Sequence, residues 1–158
     1  MPLAVDLLRV GGVFSDMVCT DPALVLRDLV DRLPLQKEKD RHALTAALEA
    51  RERVCSTAVG DGIAFPHAPR DVGLDYEGAF VALGLLHDAI NFAAPDGKPV
   101  YAFFVVWAPQ AQTHLAALAH LGWILRDPTF RTLLKARARP VDILERAEFI
   151  ELQLEQEK

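Results

Sequence analysis

Cysteine is scarce in this chain: Cys19 and Cys55 are the only two. They stand at no metal-ligand or redox spacing, which excludes a disulfide framework and a cysteine-held zinc site. Two such thiols fit a reducing compartment, where they read as small buried hydrophobes. Long apolar runs are also lacking. The longest, 79–86 and 100–108, fall well short of the ~20 residues a membrane span needs. Asp6 interrupts the apolar start, so no cationic signal peptide opens the chain. Positive charge is not in excess either. A formal net charge of −5 disfavours a nucleic-acid surface. There is no Gly/Ser linker, low-complexity segment or internal repeat. These absences predict a soluble, cytoplasmic protein without membrane insertion, with one domain over residues 1–150 and a polar C-terminal tail over 151–158.

What is present is enough to build a core. The 158 residues are 51% apolar, a globular composition at single-domain length. Val13–Cys19 reads as a first strand. Asp21-Pro22 reads as the cap and first position of a helix that buries Leu26, Leu29, Val30 and Leu33 and ends at Pro34. A second helix is expected from Lys37 to Arg53. A short strand follows at Ile63–Phe65 and a longer one at Phe80–Leu86, with a brief one at Ile90–Phe92 and a turn at Asp96-Gly97. Val100–Trp107 is nearly all apolar, the pattern of a strand covered on both faces. Helices are then expected over Thr113–Arg126, Pro128–Ala138 and from Pro140 onward. Strands mixed with helices along the whole length predict an α/β sandwich, a central mixed sheet flanked by helices on both faces.

The segment Gly60-Asp61-Gly62-Ile63-Ala64-Phe65-Pro66-His67 concentrates the chemical signal. A glycine turn feeds a short strand that Pro66 stops, leaving His67 at the strand's end near solvent. Imidazole is neutral, nucleophilic and still protonatable near pH 7. Taken alone, a histidine after a proline is more commonly a surface loop residue. Two other residues are oddly placed. Arg51 extends the apolar stripe of Ala47 and Leu48, where its head could meet helix C-terminal carbonyls or be held for a phosphoryl group or carboxylate. His114 shares a stripe with Leu118, Leu121 and Leu125, at a helix N-terminus suited to an anion. Taken alone, it is more commonly a satisfied histidine at the core edge. Ser56 and Thr57 add hydroxyls beside the glycine turn, or serve as turn residues. His42, His87 and His120 are assigned to structure or surface. If the helices pack beside the Ile63–His67 strand, Arg51, His67 and His114 converge.

Arg51-Glu52, Ser56-Thr57 and the Gly60–His67 segment together resemble the active-site region of enzyme IIA of the phosphoenolpyruvate:sugar phosphotransferase system. The similar branches are the fructose/mannitol type and the nitrogen-regulatory type. The likeness continues through Asp96-Gly97-Lys98-Pro99-Val100, Thr113-His114-Leu115 and Leu125-Arg126-Asp127, over roughly residues 5–150. The resemblance implies that His67 is phosphorylated and that Arg51 and His114 flank the phosphoryl group. It also implies a mixed sheet flanked by helices. The chain departs from the family pattern after the histidine. It reads His67-Ala68-Pro69-Arg70, where relatives carry Gly and then a basic or hydroxyl residue.

On this reading the chain is a phosphohistidine carrier that takes its phosphoryl group from a phosphocarrier protein of the system. It passes the group on for sugar uptake or signalling. Arg51 would neutralise charge on the phosphoryl oxygens, His114 would hydrogen-bond them, and Ser56 or Thr57 would support the phosphate. No metal or other cofactor enters the scheme. The downstream partner is a sugar-permease component or a regulated protein. The alternative is a regulatory protein-binding module, of the nitrogen-regulatory type, whose docking depends on the phosphorylation state of His67. A zinc site on His67 and His114 lacks an evident third ligand. The shared-site expectation requires the two rings to lie closer than ~10 Å.

Overall fold

The computed structural model describes residues 3–158. Along the chain run α1 (Ala4–Gly11), β1 (Val13–Met17), α2 (Val25–Asp31), α3 (Glu38–Val54), β2 (Ala58–Gly60) and β3 (Ile63–Ala64). A 3-10 turn (Arg70–Val72), β4 (Phe80–Ile90), β5 (Val100–Trp107), α4 (Ala111–Ile124), α5 (Pro128–Lys135) and α6 (Pro140–Gln156) complete it. All eight residues of β5 are buried, as its unbroken apolar run predicts. It lies at the centre of a five-stranded sheet of order β1-β4-β5-β3-β2. β4 pairs with it antiparallel and β3 parallel, so the sheet is mixed.

Alternation along the strands builds two cores. Leu83, Phe104 and Val106 pack with α1, α4, α5 and α6 through Leu8, Leu121, Phe130 and Ile143. Phe80, Phe103 and Val105 face the other way, onto Leu29 and Val30 of α2 and Leu44 and Leu48 of α3. Each such fully buried side chain contributes roughly 1.5–3 kcal/mol. Helices therefore cover both faces of the sheet, as expected. α1 comes so near β4 that a Cβ on Gly11 would sit 2.1 Å from the Val81 carbonyl oxygen, a contact that only glycine permits.

Several boundaries differ from the sequence expectation, each for a local reason. Asp21 caps a turn and not a helix: its Oδ1 accepts from the Ala23 amide at 2.9 Å, and its carbonyl accepts from Leu24 at 3.0 Å. α2 therefore starts only at Val25. β1 ends at Met17, and Val18 is left exposed. β4 continues to Ile90, absorbing part of the expected brief strand. His87, Asp88 and Ala89 there are exposed, so the apolar pattern breaks while the backbone remains extended. α5 stops at Lys135 because Arg137 takes a left-handed φ of 49°. Its guanidinium donates to the Leu86 carbonyl at 2.7 Å and lies 4.2 Å over the Tyr101 ring. Cys55 is exposed and Cys19 half-buried, so neither is the buried hydrophobe expected. α6 runs through Gln156, taking in segment 151–156, with Glu151 fully buried. No helix among the described residues is long and apolar enough to cross a membrane.

Candidate functional site

The turn ahead of β3 is held open by backbone geometry. Gly60, Asp61 and Gly62 all have positive φ, at 103°, 54° and 82°. A Cβ on Gly62 would fall 2.5 Å from the Tyr101 ring, so this glycine is required by space as well as by φ. Asp96 locks the turn to the start of β5. Its Oδ2 accepts from the Asp61 amide at 2.8 Å and its Oδ1 from the Lys98 amide at 3.1 Å. Those N–H donors, Asp61's first, hold the Asp96 carboxyl below the usual carboxylate range.

From this anchor the chain follows β5. Ile63 pairs with Ala102 and Ala64 with Phe103, and beyond Pro66 the same parallel register resumes at His67 and Val106. Phe65 stacks on Phe104 with ring centroids 5.3 Å apart. His67 is thus fixed at the end of a sheet edge, half-buried. Its Nδ1 lies 2.9 Å from the Phe65 carbonyl oxygen. A carbonyl can only accept, so Nδ1 carries the proton and Nε2 keeps its lone pair.

β5 leads into α4, and this connection delivers the second histidine. The His114 amide donates to the Gln110 carbonyl at 3.2 Å. The amides of Ala111, Gln112 and Thr113 before it have no carbonyl one turn back. The His114 and His67 rings meet edge to face, with centroids 6.2 Å apart and planes at 75°. The separation is inside the limit that a shared site requires. Burial first, then the nearby His67 and Arg70 charges, push the His114 pKa below its ordinary value. That ring is therefore neutral at pH 7, with one N–H to give.

The remaining expected residues are differently engaged. Arg51, in the last turn of α3, donates from Nη1 to the Cys55 carbonyl at 2.7 Å. Ser56 Oγ donates to the Phe92 carbonyl at 2.6 Å. Thr57 Oγ1 donates to Glu52 Oε2, and its amide to Glu52 Oε1, both at 2.7 Å. The Thr57 carbonyl in turn accepts from Phe65 at 3.0 Å, so Ser56 and Thr57 brace the histidine strand from behind. The structure brings His67 and His114 together and ties Arg51, Ser56 and Thr57 to local backbone or carboxylate partners.

A cavity of about 430 Å³ beside this corner is walled by residues including Arg70, Trp107 and Gln110. These were not singled out as site residues from the sequence, although the displaced arginine after His67 was a visible signal. A larger cavity of about 550 Å³ lies between α2 and α3, and neither cavity is lined by His67 or His114, so cavity size does not locate the chemistry. Among the described residues, no group of three or more His, Cys, Asp and Glu side chains is placed to hold a metal ion.

Comparison with known proteins gives one family. The sequence model described as "Phosphoenolpyruvate-dependent sugar phosphotransferase system, EIIA 2" matches residues 6–148. A nitrogen regulatory protein of Bradyrhizobium diazoefficiens is 29% identical over 138 residues, 86% of this chain and 88% of that protein. A fructose-specific EIIABC component of Bacillus subtilis is 33% identical over 113 residues. That match takes in 68% of this chain but spans only 17% of the relative's length. Among solved structures, the nitrogen regulatory protein IIA-Ntr of Neisseria meningitidis superposes with a TM-score of 0.75. It is 22% identical, over 90% of this chain and 97% of that one. The mannitol IIA of Escherichia coli, solved in complex with phosphorylated IIB, gives a TM-score of 0.71 at 16% identity. It covers 86% of this chain and 93% of its own. At these identities both likenesses show the fold alone.

Proposed function

The chain belongs to the EIIA type-2 family of the sugar phosphotransferase system, and from that premise we propose that it is a phosphohistidine carrier with His67 as the acceptor. The observation that carries the reading is the facing pair of rings, His67 and His114 at 6.2 Å, with His67 Nδ1 held on the Phe65 carbonyl. The Nε2 lone pair forms a bond to the phosphorus of a phosphorylated phosphocarrier protein. The bond from phosphorus to the donor breaks, and its electron pair returns to the donor. The positive charge that develops on the His67 ring is spread toward Nδ1–H, where the Phe65 carbonyl stabilises it. Transfer onward is the reverse, onto the next acceptor.

Phosphoryl transfer has a loose transition state, so positioning and charge stabilisation supply most of the catalysis. His114 gives an N–H to the phosphoryl oxygens. Arg51 supplies positive charge through the guanidinium donors that its bond to the Cys55 carbonyl leaves free. Ser56 and Thr57 support the phosphate through the backbone they brace. The carrier works in the cytoplasm, its phosphoryl passing to a sugar-permease component or to a regulated protein.

A regulatory role has its own support. The nitrogen regulatory relative is matched over 86% of this chain and 88% of its own length. In that reading the charge added at His67 decides which protein docks there.

Intact mass after incubation with phosphoenolpyruvate, the first enzyme of the system and its phosphocarrier tests the carrier reading. An acid-labile phosphate adduct that is lost in His67→Ala is the expected result. Absence of any adduct, under conditions that label a known family member, rejects the carrier and leaves the binding module. Passage of the label to sugar, when permease components are added, distinguishes transport from regulation.

A further inference from the structure

Arg51 commits one of its guanidinium N–H donors to the Cys55 carbonyl. The chain has a second guanidinium that makes no such bond. Arg70 opens the 3-10 turn, three residues beyond His67, and is exposed. It makes no hydrogen bond or ion pair among the described residues. Pro69, at φ −58° and ψ 145°, holds the chain extended into that turn.

Arg70 lines the 430 Å³ cavity together with Trp107 and Gln110; neither histidine lines it, and those two residues place it next to them along the chain. Trp107 follows Val106, the strand partner of His67. Gln110 is the N-cap of α4, and its carbonyl accepts the His114 amide. The Trp107 indole N–H is buried without an acceptor among the described residues. Glu77 is also on the wall but forms no ion pair with Arg70 among the described residues, so the guanidinium stays available. Its charge is felt at the site, where it helps hold His114 neutral.

We propose that Arg70 is a phosphoryl-binding residue of the His67–His114 site, taking phosphoryl oxygens on its guanidinium from the Trp107–Gln110 cavity and acting alongside Arg51. This rests on the carrier reading. A guanidinium presents paired N–H donors that match phosphoryl oxygens, and its charge is permanent. The arginine displaced by Ala68-Pro69 thus puts the cation on the α4 side of the histidine.

The test uses phosphoramidate, a small donor that needs no docking surface. Its N–P bond breaks, the electron pair leaves with ammonia, and a new N–P bond forms on His67. The intact chain, Arg70→Gln and Arg70→Lys are labelled with phosphoramidate and, separately, with the phosphorylated phosphocarrier. Expected is a loss of about tenfold in rate for Arg70→Gln with both donors, partly restored in Arg70→Lys. The His114 midpoint, followed by NMR, should move up in Arg70→Gln, a readout that a merely structural residue would leave in place. Unchanged rates with both donors overturn the proposal. So does a loss confined to the protein donor, which makes Arg70 a docking contact. A parent chain that neither donor labels removes the carrier reading itself, and the proposal with it.

Discussion

Two histidines on one helix, six positions apart, have opposite fates. His120 Nδ1 lies 2.6 Å from Glu151 Oε2. The same buried carboxylate accepts the amides of Ala4 at 2.8 Å and Val5 at 2.6 Å. That corner is closed around the Glu151 carboxylate, which engages all three groups, and three helices meet there. His114 instead meets the edge of another histidine, and its nitrogens have no hydrogen-bond partner among the described residues. Both rings are partly covered, so exposure does not distinguish them. Satisfaction does. A ring held on a buried carboxylate is structural, whereas the unpartnered His114 ring and the free Nε2 of His67, beside a helix N-terminus, can bind something.

The comparison breaks most readily at Glu151. Leu3, the N-cap of α1, has no side-chain acceptor, and Glu151 caps the helix from the other end of the chain. Glu151→Ala leaves the Ala4 and Val5 amides and His120 without it. A loss of about 3 kcal/mol of folding stability is expected by urea unfolding, with phosphorylation of the folded fraction unchanged. A cost below ~1 kcal/mol means that the closed corner is not structural. The opposite pattern is expected at His114. There His114→Ala slows phosphoryl transfer roughly 100-fold and changes stability by less than about 1 kcal/mol. His120→Ala completes the contrast, costing about 1–2 kcal/mol with the transfer rate intact. If both histidine variants lose activity alike, the distinction between the two corners fails.

Legibility in the sequence follows the same division. β5 was readable because a strand covered on both faces must be apolar throughout, and α5 because Asp127 is a true cap, its Oδ2 accepting from Phe130 at 2.8 Å. α1 was not readable. It begins at Leu3 without a capping residue, and its cap lies about 147 positions away. β2 was missed because three residues ahead of a glycine turn carry no period. For the site, spacing placed His67 at a strand end and His114 in a first helical turn, and both positions hold. Their meeting depended on which strand lies beside β3. That neighbour is β5, whose C-terminal end runs on into α4, and strand order is a tertiary fact. Arg51 shows the limit of stripe arguments. A cation at the end of a buried face has helix carbonyls within reach, and spacing cannot say whether it leaves them.

The smallest effect gives the finest test of the open corner. In the folded chain His114 titrates below the ordinary imidazole value of about 6.5, with burial as the largest cause and His67 and Arg70 as lesser ones. The unfolded chain therefore binds that proton more strongly. The stability linked to neutral His114 is complete above about pH 6.5 and is lost as pH falls from there through the folded midpoint. NMR titration of the His114 ring should give a midpoint under 6.5. In His67→Ala the midpoint should rise, because a neighbouring positive charge is gone. It should still stay under the ordinary value, because burial remains. A return all the way to that value would assign the depression to charge alone. A midpoint that does not move would separate the two rings electrostatically, and His114 would then belong with His120 among the structural histidines.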